Sequence, residues 1–296
     1  MQLARQATLI GGHGFIGRHL LARLTREGWA CWVPLRDDPQ LWQRELGHVF
    51  YCAGLTADYA QRPFDTVEAH ASLLNRVLRD ARFESLVYLS STRLYDGLEE
   101  SPGEGDLTED RSLHLSPDNP RHLYDLSKAL GESLCRVAGQ GRARVARLAC
   151  VWSEGDDAEG FLPELLRRVR ELRTADGAGP APTPTPTQIV RVDSSPHFAR
   201  DYVHIDDVLD ALVALATSSG FGIYNVAGGC NVGNAALFER IGAAGGCEVV
   251  AGHDRTAPAP PRISIQRMTD AFDWRPADTL ERVAQVLVGA PACSPS

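Results

Sequence analysis

Near the start of the chain a short apolar stretch, Ala7-Thr8-Leu9-Ile10, runs straight into Gly11-Gly12-His13-Gly14-Phe15-Ile16-Gly17. An amphipathic segment follows, with Phe15, Ile16, Leu20, Leu21 and Leu24 on one face at helical spacing. A strand, a glycine turn and a helix in immediate succession leave few architectures open. Gly11 permits the tight turn, and Gly14 lets the backbone approach a pyrophosphate at the helix N-terminus. Gly17 lets the helix pack close to the sheet. The spacing is G-x-x-G-x-x-G rather than the commoner G-x-G-x-x-G. Its place between strand and helix favours dinucleotide binding over a bare structural turn.

The periodicity beyond this point predicts strands over residues 30–35, 48–54, 85–89, 144–151 and 223–226. It predicts helices over 64–81, 124–138, 161–172, 205–216, 235–244 and 280–288. The strand over 85–89 is a near-continuous apolar run, as a buried parallel strand should be. Only residues 39–47 separate the second strand and its terminal Arg36 from the third. That leaves little room for a further strand–helix unit, so one edge strand is expected to be missing or reduced. Residues 96–120 are rich in Glu, Asp, Gly, Ser and Pro and read as a flap over the site. Alternating prolines at 180–187 exclude helix and central strand there and predict an extended surface loop.

At 296 residues the chain can form one large α/β domain, or a main domain with a smaller cap. Its formal charge of −8 offers no basic surface, which excludes nucleic acid as a partner class. No apolar run has the length of a membrane span, and the first residues leave no room for a signal peptide before the strand. Seven cysteines without C-x-x-C spacing point to neither a disulfide framework nor a metal site. Cys31, Cys52, Cys135 and Cys150 lie in apolar runs and read as small buried residues. The expected compartment is the cytoplasm.

The chemistry concentrates in Tyr124-Asp125-Leu126-Ser127-Lys128. Residues at i and i+4 share a helix face, so the ammonium can lie beside the phenol. A free tyrosine titrates near ~10. A cation about 4–5 Å away, at an effective dielectric of about 20, favours the phenolate by roughly 3–4 kcal/mol. That lowers the pKa by about two to three units, near the range useful for proton transfer. Ser90-Ser91-Thr92 closes the apolar strand at 85–89, where open α/β sheets hold ligands. At the end of the second strand, Leu35 and then Arg36 stand where an acidic residue would bind the adenosine ribose. An arginine there either pairs with the 2′-phosphate of NADP or is an exposed loop residue. The lean is toward NADP over NAD.

With the glycine turn, Tyr88-Leu89-Ser90-Ser91 with Tyr95, Tyr124-x-x-Ser127-Lys128 with Gly131-Glu132, and Arg147-Leu148, the chain resembles the extended short-chain dehydrogenase/reductases, the NAD-dependent epimerase/dehydratase family. The resemblance continues through Arg200-Asp201-Tyr202-Val203-His204, Tyr224-Asn225-Val226 and Phe272-Asp273-Trp274-Arg275-Pro276. It implies an α/β fold, a Rossmann-like doubly wound parallel sheet with a small C-terminal substrate lobe. Residues 1–150, completed by parts of 201–227, would bind the dinucleotide, and 151–296 would mainly form the lobe. By that resemblance Tyr124 is the acid/base, Lys128 binds the nicotinamide ribose, and Ser91 holds the reacting oxygen. Gly11, Gly14, Phe15, Ile16, Gly17, Arg36, Ala53 and Gly54 join Tyr124 and Lys128 as cofactor contacts. Thr92, Arg200 and His70 are the expected substrate contacts, with His70 at a place where relatives carry asparagine.

Cys150 and Gly160 also replace frequent asparagines, and Ser91-Thr92-Arg93 replaces the Thr-Asp-Glu of 4,6-dehydratases, which disfavours dehydration. The expected activity is NAD(P)-dependent redox chemistry at a carbinol or keto carbon of a nucleotide sugar, by an epimerase. The alternatives are an NADPH-dependent ketoreductase and, from another class, a dinucleotide-binding regulator without turnover. The resemblance also implies a homodimer.

Overall fold

The computed structural model describes residues 5–98, 105–155, 157–175 and 188–289. The proline-rich run at 180–187 and part of the expected flap lie outside the described residues. The first half of the chain gives β1 (Gln6–Ile10), α1 (Phe15–Arg26), β2 (Ala30–Trp32), β3 (His48–Tyr51), α2 (Pro63–Val67), α3 (Leu73–Asp80), β4 (Ser85–Ser91), α4 (His122–Ala138) and β5 (Ala143–Leu148). The second gives β6 (Cys150–Trp152), α5 (Phe161–Ala175), β7 (Gln188–Val192), β8 (Ala199–His204), α6 (Ile205–Thr217), β9 (Gly222–Val226), β10 (Asn231–Gly233), α7 (Asn234–Gly245), β11 (Cys247–Ala251), α8 (Gln266–Phe272) and α9 (Thr279–Val288).

Six of these strands form one sheet in the order β2-β1-β3-β4-β5-β9, parallel at every pairing. Side chains alternate across a strand, so Val87 and Leu89 face one way and Leu86 and Tyr88 the other. The first pair packs with Leu20 and Leu24 of α1 and Val208, Leu212 and Leu215 of α6. The second packs with Leu74 and Val77 of α3 and Cys135 of α4. Helices therefore cover both faces, and β5 is buried along its whole length. A separate apolar cluster, including Trp152, Leu162, Leu166, Val190, Phe238 and Val283, holds the later helices against the small sheets.

The chain departs from simple periodicity at informative places. Strand β2 stops at Trp32, two residues before Pro34, which has no N–H to give a ladder. Among the described residues no strand lies beyond β2 in the sheet; a 3₁₀ turn at Pro39–Trp42, capped by Asp38, leads back to β3. The expected strand over 144–151 is two: Ala149 donates to Val226 O, after which β6 leaves the main sheet to pair with β8. The expected single helix over 64–81 is α2 and α3 joined by a π turn, Glu68–Ser72. Residues 199–204 form strand β8, which runs directly into α6. The described part of the flap is pinned, with Leu107 bridged to Ile263 and Glu109 accepting from Asn225 N at 2.8 Å. Among the described residues no helix is long and apolar enough to cross a membrane.

Candidate active site

Strand order reverses between β1 and β3, and the crevice at their carboxyl ends is where an open parallel sheet offers room for a ligand. The glycine turn floors it. Gly11 has φ +82°, and a Cβ there would meet Ala53 N at 2.5 Å. A Cβ on Gly17 would meet the Gly12 Cα at 2.6 Å, so α1 starts tight against the turn. Gly14 is the N-cap of α1, with no side chain between the helix end and the crevice. Such a bare, positively polarised helix terminus suits a pyrophosphate. Beside it lies a cavity of about 620 Å³ lined by Gly11, Gly14, Arg36, Trp42, Ala53, Gly54 and Arg76. Cys52 and Gly54 belong also to the wall of a larger cavity of about 1140 Å³. The two together are long enough in character for a dinucleotide, adenosine half first, and the residues present fit that group.

The larger cavity gathers Phe15, Ile16, Ser91, Thr92, Tyr124, Lys128 and Arg200. Strand β4 delivers Ser91 at its carboxyl end, and the first turns of α4 deliver Tyr124 and Lys128. Helix α4 can approach β4 because Gly131 has no side chain; a Cβ there would meet the Tyr88 Oη at 2.3 Å. The Lys128 Nζ donates to Leu89 O at 2.7 Å and lies 6.0 Å from the Tyr124 ring centroid. Thr92 Oγ1 donates to Leu148 O at 3.3 Å, and Arg200 lies close enough to the Cys150 thiol to offset part of the upward push of burial on it.

His70 is placed differently from the expectation. It sits on the π turn, fully buried, behind Gly54 rather than on the cavity wall. Its Nε2 accepts from Leu55 N at 3.2 Å, which puts the ring proton on Nδ1, 2.8 Å from Ser127 Oγ. Ser127 Oγ in turn donates to Tyr124 O at 2.8 Å. Both ring nitrogens are occupied, so none is left for a substrate. The histidine instead ties the loop after β3 to the start of α4. Burial, and next the charge of Lys128, hold it down at about 3, so it is neutral.

The electrostatics correct one expectation. Burial pushes the Tyr124 phenol up; the Ser91 hydroxyl and then the Arg93 guanidinium pull it back. The ammonium expected to dominate is aimed at Leu89 O, and burial draws it down to about 7. Arg93 was legible only as a departure from the dehydratase triplet. Its guanidinium carbon lies 4.5 Å from the Tyr124 ring centroid and 5.2 Å from that of Tyr59. The pairing of Tyr59 with the site carried no sequence signal, because it comes from a loop far away in the chain. Of the other sequence-singled residues, Arg36 is well exposed at the rim of the smaller cavity, 3.8 Å from Asp65. Gly160 has φ +110°, a conformation an asparagine side chain would strain.

A parallel sheet with a glycine-floored switch point defines a Rossmann-type dinucleotide-binding protein. The profile of the NAD dependent epimerase/dehydratase family matches residues 7–227, and the chain belongs to that family of enzymes. No curated protein matches it by sequence. Among solved structures it is similar to RMD from Pseudomonas aeruginosa complexed with NADPH, with TM-score 0.73 and 23% identity over 97% of this chain and 98% of that one. It is similar to a short-chain dehydrogenase/reductase superfamily protein from Agrobacterium tumefaciens with bound NAD, with TM-score 0.71 and 19% identity over 96% of each chain. It is also similar to UDP-glucose 4-epimerase from Thermotoga maritima with UDP-glucose, with TM-score 0.72 and 18% identity over 96% and 97%. At these identities the likeness is one of fold.

Proposed function

We propose that the chain is an NAD(P)-dependent epimerase acting on a carbinol or keto carbon of a nucleotide sugar. The observation that carries this is the meeting of Ser91, Tyr124 and Lys128 on one cavity that shares Cys52 and Gly54 with the glycine-floored one. Tyr124 takes the proton from the substrate hydroxyl, or returns it to the carbonyl, at its phenol oxygen. Ser91 Oγ accepts from Arg93 N at 3.2 Å, leaving its own proton to donate to developing charge on oxygen. Lys128 and the glycine turn orient the dinucleotide, which when bound supplies hydride donor and acceptor capacity at its nicotinamide. A substrate at the wall bearing Arg200 and Thr92 would present its carbon to that ring. UDP-glucose in one of the similar structures supports the substrate class.

In the domain division that goes with this reading, residues 1–150 with parts of 201–227 bind the cofactor, and 151–296 mainly form the substrate lobe. The distinct apolar clusters support it. Free thiols at the described cysteines suit a cytoplasmic site of action. The chain is a homodimer in this reading, supported by the exposed Leu130 and Val137 on α4 and Phe64 on the neighbouring α2. Sedimentation at twice 32.2 kDa is the expected result, and a monomer at micromolar concentration overturns it.

A second reading, an NADPH-dependent ketoreductase, is favoured by Arg36 and Arg76 at the adenosine-side cavity. Thermal shift with NAD, NADP and a panel of UDP-, GDP- and dTDP-sugars tests both, since a ligand that binds only the folded chain raises its apparent stability. We expect a larger shift with NADP than with NAD, and loss of that difference in Arg36→Ala. Net consumption of NADPH during turnover selects the reductase; an isomerised sugar with retained cofactor selects the epimerase. No shift with any dinucleotide refutes both.

A further inference from the structure

We infer that Arg93, on the turn that follows β4, is a second cation of the acid–base centre, stacked on the Tyr124 phenol so that it favours the ionised form of that ring. Arg93 acts through Tyr124 and is a positioning residue. The inference rests on the reading of Tyr124 as the acid/base.

The guanidinium is held from several sides. Its carbon lies 4.5 Å from the Tyr124 ring centroid and 5.2 Å from that of Tyr59, and the two rings are 5.6 Å apart. Its Nε is 3.7 Å from Asp125 Oδ1 and 4.0 Å from Asp96 Oδ2. Asp125 is 4% exposed, and that same Oδ1 has no hydrogen-bond partner; of the cations that act on the carboxylate, Arg93 acts most strongly, ahead of His122 and Arg121. The backbone N–H of Arg93 donates to Ser91 Oγ, which joins the cation's own turn to the hydroxyl beside the phenol.

Among the described residues, no other group facing Tyr124 brings a positive charge as close to the ring. From α4 come Asp125 and Lys128; from the turn after β4, Asp96; from the loop at 54–62, Tyr59; from the π turn, His70. His70 is neutral. Lys128 is drawn down by burial, and its Nζ donates to Leu89 O and lies 6.0 Å from the Tyr124 ring centroid, farther than Arg93. A guanidinium keeps its charge throughout. In this chain the cation that cannot be titrated away is Arg93, close to the ring and in a partly dry site where Coulomb interaction is strong.

The test needs no substrate. Place 3,5-difluorotyrosine at position 124 of the full chain, so that the phenol titrates where the fold is stable, and follow its ¹⁹F resonance against pH. Compare the otherwise unaltered chain with Arg93→Gln, Arg93→Lys and Asp125→Asn. Arg93→Gln should raise the midpoint by about one to two pH units, a 10- to 100-fold change in the ionisation constant. Arg93→Lys should return at least half of that rise, and Asp125→Asn, by removing an opposing negative charge, should lower the midpoint. A midpoint unmoved in Arg93→Gln overturns the inference. Should that variant not fold, Arg93→Met, which keeps an unbranched stem of similar reach without the charge, decides, and an unmoved midpoint there overturns it equally. The reading of Tyr124 fails separately, if Tyr124→Phe turns over normally whatever the titration shows.

Discussion

Replacing Tyr124 by phenylalanine is expected to cost on the order of 10²–10⁴-fold in turnover, the usual worth of a positioned acid/base. The change removes one oxygen. The ring stays packed against His70, 5.2 Å away and edge-on, and against Tyr59, so the wall of the cavity keeps its shape. Lys128 keeps its hydrogen bond to Leu89 O, so its place on the cavity wall persists. Binding and chemistry should therefore separate. The thermal shift produced by the dinucleotide should match the unaltered chain, while the rate with the sugar found to bind falls. Equal rates would remove the phenol from the reaction.

Replacing Glu132 by alanine is expected to destabilise the fold by roughly 3–5 kcal/mol, the cost of leaving a buried charge without its partner. Arg147 is 3% exposed and grips Glu132 with two hydrogen bonds, of 2.9 and 2.7 Å. Its remaining nitrogen donates to Tyr95 Oη at 2.8 Å, and Ser90 Oγ donates to Glu132 at 2.6 Å. Tyr95 passes its own proton to Asn225 Oδ1 at 2.8 Å. The network thus crosses β4, α4, β5 and β9 beneath the active site. Against a total stability of about 5–15 kcal/mol, such a loss brings the variant close to unfolding. The midpoint of urea unfolding should drop by on the order of 1 M. Glu132→Leu combined with Arg147→Met should recover most of the loss, because an apolar pair leaves no stranded cation. A double variant no more stable than the single would show that packing, not charge, is what Glu132 provides.

Much of the fold could be read in advance because its signals are local. The glycine turn can be recognised from its spacing between strand and helix alone; the contact that demands Gly17 is local, with Gly12, whereas the one that demands Gly11 comes from Ala53 after β3. The four-residue step from Tyr124 to Lys128 is likewise a property of one helix. What escaped is long-range or a matter of register. The π turn at Glu68–Ser72 leaves the apolar spacing of 64–81 looking helical, yet it carries His70 behind the site instead of into it. The break at Ala149 is invisible in a run of apolar residues, because it depends on where β8 offers a second edge. Glu132, Arg147, Tyr95 and Asn225 were visible as motif residues. Their union in one buried network, rather than in the chemistry, is a property of the packed sheet. Arg93 was legible as an oddity, and only Tyr59, brought from a distant loop, shows what holds it.

The short β2 has a consequence for how copies of this chain can associate. At that side the sheet offers three residues of unpaired backbone before a proline whose nitrogen has no hydrogen. Another molecule cannot zip onto so brief a border, so end-to-end ribbon growth is closed off there.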